Sequence, residues 1–147
     1  MTQASAICFI RMNLVRGKTV REIKFRAWNH AHGEMVNFDN DKLCNDEYQR
    51  QHLARLMAGN YGDVLMQYTG VKDEDGIEIY EGHIVEESRL LSGGVRKTNL
   101  EVKYKSPSFC VGDLELSNFM GITRKVIGNI YENPELLESN PAYRGDE

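Results

Sequence analysis

The chain has 147 residues, of which 41% are hydrophobic and 27% charged, and its formal net charge is −4 at pH 7. This length suits one domain with one sizeable core, and the composition excludes a wholly disordered protein. No run of eighteen apolar residues is present, which excludes a membrane-spanning helix, and no overall excess of lysine and arginine indicates nucleic-acid binding.

The first predicted elements are an N-terminal arm and a β-hairpin. Residues 1–20 read as an arm, which is either a flexible terminus or an apolar segment that packs on the domain or on another subunit. Residues 22–28 alternate between apolar and charged side chains, as a half-buried strand does. A turn at 29–33 and a returning strand at 34–38 complete the hairpin.

A basic face is predicted on the first of these strands. Lys24 and Arg26 share its outer side, and Trp28 follows directly. Cations beside an aromatic ring are a typical binding surface for single-stranded nucleic acid. The alternative is an ordinary solvated, charged strand face.

One amphipathic helix is predicted at residues 45–58. Asn45 is the expected N-cap, and Gly59 supplies the left-handed stop. The side chains expected on its apolar face are Tyr48, His52, Leu53, Leu56 and Met57.

From residue 63 onward the pattern is that of short strands separated by glycine-containing turns. Turns are predicted at 72–76, 81–82 and 92–94, because glycine permits the positive φ that tight turns need. Gly128 interrupts the last long strand (122–131) and indicates a bulge or a close backbone approach. The strands expected between these turns cover residues 64–69, 77–80, 84–85, 98–105, 109–111 and 114–116.

These elements predict a mainly β fold, a β-rich α+β arrangement in the form of a small SH3-like or bent-sheet barrel. It carries one amphipathic helix and a short C-terminal helical turn, with Asn133 as cap and Pro134 at the first helical position. The expected organisation is an arm (1–20), a single domain (21–138) and a tail (139–147).

Three stretches of the sequence resemble the YopX family of phage and prophage proteins. They are REIKFRAW (21–28), LMQYTGVKDEDGIEIYEGHIV (65–85) and VIGNIYENPELLE (126–138). The resemblance implies a compact, mainly β fold and a phage or prophage setting, and it implies no reaction. The chain departs from the family at His83, where an aspartate usually follows the Glu-Gly corner.

Most residues of these motifs are of the kinds that specify a fold. Glycines suit turns and bulges, and the aromatic side chains suit the core or its rim. The motif residues to which we assign this role are Tyr68, Gly70, Gly76, Tyr80, Gly82, Gly128, Asn129, Tyr131 and Pro134.

No arrangement of residues with catalytic chemistry is readable. His30 and His32 with Asp39 or Asp41 fall short of the convergent ligands of a good zinc site. The acidic run 73–75 lacks the full calcium-loop pattern, so a solvated turn is predicted there. The expectation is therefore no catalytic residue, no metal and no cofactor.

The three cysteines, Cys8, Cys44 and Cys110, form no CxxC pair and are expected to be reduced thiols in the bacterial cytoplasm. The start of the chain lacks the order of charges of a secretion signal.

Three functions remain open at this point. The first is a non-catalytic binding or regulatory protein that acts through protein–protein contacts and forms homo-oligomers. The second is a small nucleic-acid-binding β-barrel with Tyr104, Phe109 and Phe119 as stacking aromatics. The third is an enzyme with an unrecognised site.

Overall fold

A computed structural model gives the fold, and it describes residues 14–15, 18–19, 22–38, 43, 45–59 and 62–138. The described chain is rich in strands, so the mainly β prediction is confirmed. The chain forms two compact units, residues 1–67 and 68–147. Their boundary falls inside one continuous strand, which explains why no linker in the sequence indicates it.

The first unit contains two small antiparallel arrangements. Strand β1 (Leu14–Val15) pairs with β2 (Lys18–Thr19) within the predicted arm, most of which lies outside the described residues. Strand β3 (Phe25–Asn29) pairs with β4 (Glu34–Phe38) on one side, and the first residues of β5 (Val64–Lys72) pair with its other side. The predicted hairpin is thus confirmed, with Gly33 in its turn at a φ of 64°.

Helix α1 (Glu47–Met57) confirms the predicted helix, but its cap differs by one residue. The Oδ1 atom of Asp46, not the side chain of Asn45, accepts hydrogen bonds from the Tyr48 and Gln49 amides. Gly59, at a φ of 72°, follows the helix as predicted.

The predicted apolar face of α1 was too wide. Leu56 is buried and Leu53 packs with the core residues Ala27 and Phe38, whereas Tyr48 and Met57 are 71% and 64% exposed. At about 100° per residue, the five predicted positions span about half of the helix circumference. Only the middle of that arc therefore faces the sheet.

The second unit is built on a five-stranded antiparallel sheet. Its strands are β7 (His83–Leu91), β8 (Gly94–Lys105), β9 (Ser108–Val111), β10 (Leu114–Glu115) and β11 (Ile122–Asn129). They lie in the order β10-β9-β8-β7-β11 across the sheet. The later residues of β5 pair with β6 (Glu78–Tyr80), and helix α2 (Glu135–Glu138) follows the sheet. The turns that separate these strands occur where the glycines of the sequence indicated them. Gly76 and Gly82 are two of these glycines, and both have a positive φ.

The core of the second unit is formed by apolar side chains from strands β6 to β9 and from the residue that follows β10. Its buried members are Ile79, Val85, Val102, Val111 and Leu116. Neither helix in the described ranges is long and apolar enough to cross a membrane.

Gly128 lies at the irregularity in pairing that its place in the sequence suggested, and a side chain, not another backbone segment, approaches it closely. The pairing of β11 with β7 shifts register between Val126 and Gly128, which marks a bulge. A Cβ atom at Gly128 would lie 2.5 Å from the Oδ1 atom of Asn133. The glycine therefore makes room for the Asn133 side chain, whose Oδ1 accepts a hydrogen bond from the Asn129 amide at 3.4 Å.

Candidate functional site

A groove of about 390 Å³ lies on one face of the five-stranded sheet. Alternate residues of neighbouring strands point to the same face, so β7 and β8 each contribute three side chains to it. The end of β9, the following turn and the start of β10 supply the rest. The residues that line this groove are Glu87, Arg89, Leu91, Arg96, Thr98, Leu100, Val111, Gly112, Asp113 and Leu114.

A buried carboxylate lies at one side of the groove. Glu87 is 2% exposed, and its Oε1 accepts a hydrogen bond from Arg89 Nε at 2.6 Å. Its Oε2 accepts from Arg124 Nε at 2.9 Å. Arg124 is also buried and donates from Nη1 to the Leu116 carbonyl at 2.7 Å. Two guanidinium groups therefore neutralise one carboxylate, since an unpaired buried charge would be costly.

Counted with Arg124 and Lys105, which contact its carboxylates Glu87 and Asp113, the groove carries positive charge in excess. Arg96 lies directly opposite Arg89 in the pairing of β7 with β8, and like charges in that position repel. The other anion of the lining, Asp113, is solvent-exposed and lies 3.8 Å from Lys105 Nζ. The groove is therefore suited to an anionic group.

The end of the β7–β8 hairpin exposes apolar side chains. Strand β11 accompanies β7 only as far as the pair Ile122–Arg89, so the hairpin continues beyond it as a two-stranded ribbon. Leu90, Leu91 and Val95 are 77%, 50% and 63% exposed there. These three residues are called the ribbon tip below.

A second, more polar pocket of about 260 Å³ lies in the first unit. His52 Nε2 and Asp63 Oδ2 are 3.9 Å apart in it, and Asp63 Oδ1 accepts a hydrogen bond from the His30 amide at 3.2 Å. The sequence does not predict this pairing, because the helix end and a loop separate the two residues. The residues that line the pocket are Asn29, Ala31, His32, Tyr48, Gln51, His52, Arg55 and Asp63.

The histidine–aspartate metal hypothesis finds no support in the described ranges. Asp39 and Asp41 lie outside them. Among the residues that are described, no three His, Cys, Asp or Glu side chains are grouped closely enough to hold a metal ion.

The predicted basic face on the first long strand differs from the structure at Arg26. This residue is only 6% exposed, so its predicted position on a solvated face was wrong. The physical reason is that this face of the sheet is covered, since Met66, which lies directly opposite Arg26 on β5, is buried as well. Lys24 forms a 2.9 Å ion pair with Glu22, and Trp28 is half-buried. A binding role for these residues stays a prediction.

The central motif makes turn and packing contacts. The Tyr68 ring is buried and lies 5.4 Å from that of Tyr80, between ring centroids. His83 is 8% exposed, and its Nδ1 accepts a hydrogen bond from the Tyr80 amide at 3.1 Å. An aspartate oxygen at this position would be the same kind of acceptor. The departure from the family pattern is thus compatible with the same turn.

We expect His83→Ala to lower the free energy of unfolding by about 1–2 kcal/mol, because the Tyr80 amide loses this acceptor. His83→Asp should cost less, since a carboxylate can replace the imidazole nitrogen. Urea denaturation of both variants measures the difference. Equal losses in the two variants would contradict an acceptor role for His83.

The C-terminal motif is also held by backbone-directed hydrogen bonds. Asn129 is buried, and its Oδ1 accepts from the amides of Tyr131 and Glu132 at 3.0 and 2.9 Å. The Pro134 carbonyl accepts from the Leu137 amide at 3.1 Å, which starts the short helix. Gly70, like Gly76 and Gly82, has a positive φ. These contacts position the turns of the motif.

Comparisons with known proteins agree with this fold. The family model described as YopX protein matches residues 24–138. The crystal structure of protein EF1440 from Enterococcus faecalis is 26% identical, with a TM-score of 0.51 over 79% of this chain and 98% of that one. No curated protein matches the chain. Because the family match covers well over half of its length, the chain belongs to the YopX family.

Proposed function

We propose that the chain is a non-catalytic binding or regulatory protein of a phage or prophage, acting in the host cytoplasm through protein–protein contacts. The observation that carries this proposal is the ribbon tip. Its three aliphatic side chains are exposed at the end of a hairpin that projects beyond its neighbouring strand. Clustered exposed apolar side chains mark interaction surfaces more often than single ones do.

The ribbon tip has the geometry of a contact surface. Leu90 lies directly opposite Val95, so the two side chains form one apolar pair on the same face. Burying each aliphatic side chain contributes about 1.5–3 kcal/mol. The tip therefore supplies the apolar centre of a small interface, with a different protein or with a second copy of this chain.

The double variant Leu90→Ser with Val95→Ser should reduce capture of the partner from host cells by about tenfold or more, because it removes this apolar pair. Affinity capture followed by quantitative mass spectrometry measures the loss. Light scattering gives the molar mass of the wild-type chain and of the double variant, and a fall in mass in the variant would show that the partner is a second copy of this chain.

The matched control is Tyr48→Ser in the first unit, where the tyrosine is also largely exposed. Retention of the same partner by this control and its loss from the tip variant support the proposal. Equal retention by both variants would remove the ribbon tip as the contact surface.

Nucleic-acid binding is the second candidate, and β8 is the observation that favours it. This strand carries Arg96, Lys97, Lys103 and Lys105 against the single acid Glu101. Tyr104 is 53% exposed and packs on Phe109 at 5.3 Å.

Ion pairs occupy two of the lysines on β8. Lys97 pairs with Glu86 at 2.8 Å and Lys103 with Glu101 at 3.0 Å, so part of the charge on β8 is neutralised within the chain. Binding to a single-stranded oligonucleotide that weakens steeply with salt would favour this candidate. An absence of binding at low salt would eliminate it.

A further inference from the structure

We propose that the groove and the adjoining edge of β8 bind an extended acidic segment of a partner protein, which adds to the sheet as a strand. A carboxylate of that segment lies between Arg89 and Arg96, and an apolar side chain enters the groove. This inference rests on the proposed protein-binding function and specifies the class of partner and the mode of contact.

Two opposed arginines make the groove attractive to a carboxylate. Arg89 and Arg96 face each other across β7 and β8, where the Cβ atoms of opposed residues are about 5 Å apart. Glu87 is shared between Arg89 and the buried Arg124, so it neutralises only part of this positive charge. A carboxylate that binds both guanidiniums relieves their repulsion and forms charge-assisted hydrogen bonds.

The groove also has an apolar lining. Leu91, Leu100, Val111 and Leu114 line the same groove as the two arginines. Residues two apart in an extended strand point to the same side. A segment with an acidic residue two positions from an apolar one therefore places both side chains in the groove at once.

The edge of β8 offers backbone groups to an added strand. Strand β9 pairs with β8 only from Val102 to Lys105, so among the described strands the stretch 94–98 is paired on one side alone, with β7. The hairpin register places Val95 and Lys97 in the pairs whose backbone N–H and C=O groups point away from β7. Residues 94–97 are exposed, so these backbone groups can accept an added strand.

A peptide of matching chemistry tests this proposal on the full chain. The probe is a fluorescein-labelled octapeptide, Glu-Thr-Leu-Thr-Glu-Thr-Leu-Thr, whose acidic and apolar residues share one side when extended. Fluorescence anisotropy should show saturable binding to the wild-type chain at concentrations below about 1 mM. The same peptide with lysine for glutamate, or with alternate amides N-methylated, should bind about tenfold more weakly or worse.

The variant Arg96→Glu separates binding from folding. It places a carboxylate opposite Arg89, so the melting temperature should not fall, while affinity for the acidic peptide should drop by about tenfold or more. Lys103→Glu makes the same change of charge on the opposite side of β8, in the stretch that β9 already pairs, and should weaken binding by less than about threefold.

Three results would overturn the proposal: no binding of the acidic peptide, unchanged binding by Arg96→Glu, or equal binding of the N-methylated peptide. Tighter binding of a single-stranded octanucleotide that Arg96→Glu also abolishes would assign the surface to nucleic acid instead. If the peptide fails but partner capture still depends on the ribbon tip, the proposed function stands without strand addition. If capture does not depend on the tip, the proposed function itself fails.

Discussion

Replacing Glu87 with alanine should lower the free energy of unfolding by about 3–5 kcal/mol, because removal of one partner leaves buried charge uncompensated. Arg124 would lose the carboxylate that its Nε contacts at 2.9 Å while its side chain remains 1% exposed. Arg89 is 42% exposed and can turn to solvent, so Arg124 bears most of the cost. Urea denaturation monitored by circular dichroism gives this quantity.

Glu86→Ala is the matched control for Glu87. Glu86 is the preceding residue on β7, points to the opposite face and pairs with the exposed Lys97. Its loss should cost less than about 1 kcal/mol, as for other exposed ion pairs. Comparable losses at the two positions would show that the buried arrangement around Glu87 does not hold the sheet together.

Asp73→Ala should lower the free energy of unfolding by about 2–4 kcal/mol, since it removes an acceptor of several backbone amides. Asp73 Oδ1 accepts from the amides of Asp75 and Ile77 at 2.9 and 2.8 Å. Its Oδ2 accepts from the Val126 amide at 2.9 Å, which ties the turn to β11. Thermal and urea denaturation should both show the loss.

Glu74→Ala serves as the comparison, because Glu74 is the exposed neighbour of Asp73 in the same turn. A change within about 0.5 kcal/mol is expected there. Asp73→Asn should fall between the two, since the amide retains one acceptor oxygen. If Asp73→Ala is as stable as Glu74→Ala, the carboxylate does not anchor this turn.

The acidic turn also illustrates what sequence reasoning can resolve. Its position and shape followed from Asp-Gly chemistry, and the solvated character predicted for it holds for Glu74 and Asp75. Asp75 forms a 2.9 Å ion pair with Lys125, and this hydrogen-bonded contact raises the pKa of Lys125 above its ordinary value. Asp73 is half-buried and accepts a hydrogen bond from the Val126 amide. This contact was not predictable, because the two residues are 53 positions apart in the sequence.

Local patterns predicted the elements well because the turns are encoded by single residues. Glycines with positive φ and the short loops around them set the order of strands from residue 63 onward. The register shift near Gly128 was predictable for the same reason, since an isolated glycine in a strand favours a bulge. The fold class therefore follows largely from alternation and turn chemistry.

The candidate groove was not predictable from local patterns. Alternation along β7 gives no indication that Glu87 is buried while Glu86 is not, because burial depends on which face packs against the core. The ion pair of Glu87 with Arg124 joins residues that only the antiparallel pairing of β7 and β11 brings together. The burial of Arg26 likewise depends on its face of the sheet being covered, as the burial of the opposed Met66 shows.

Site-specific photo-crosslinking in host cells tests directly whether the ribbon tip contacts a partner protein. Val95 is replaced with p-benzoylphenylalanine in the full chain, and a second protein carries the same residue in place of Tyr48. We expect a defined protein adduct after irradiation at position 95 and none of that adduct at position 48. Crosslinks to nucleic acid at position 95, or a protein adduct formed only at position 48, would show that the ribbon tip is not a protein contact.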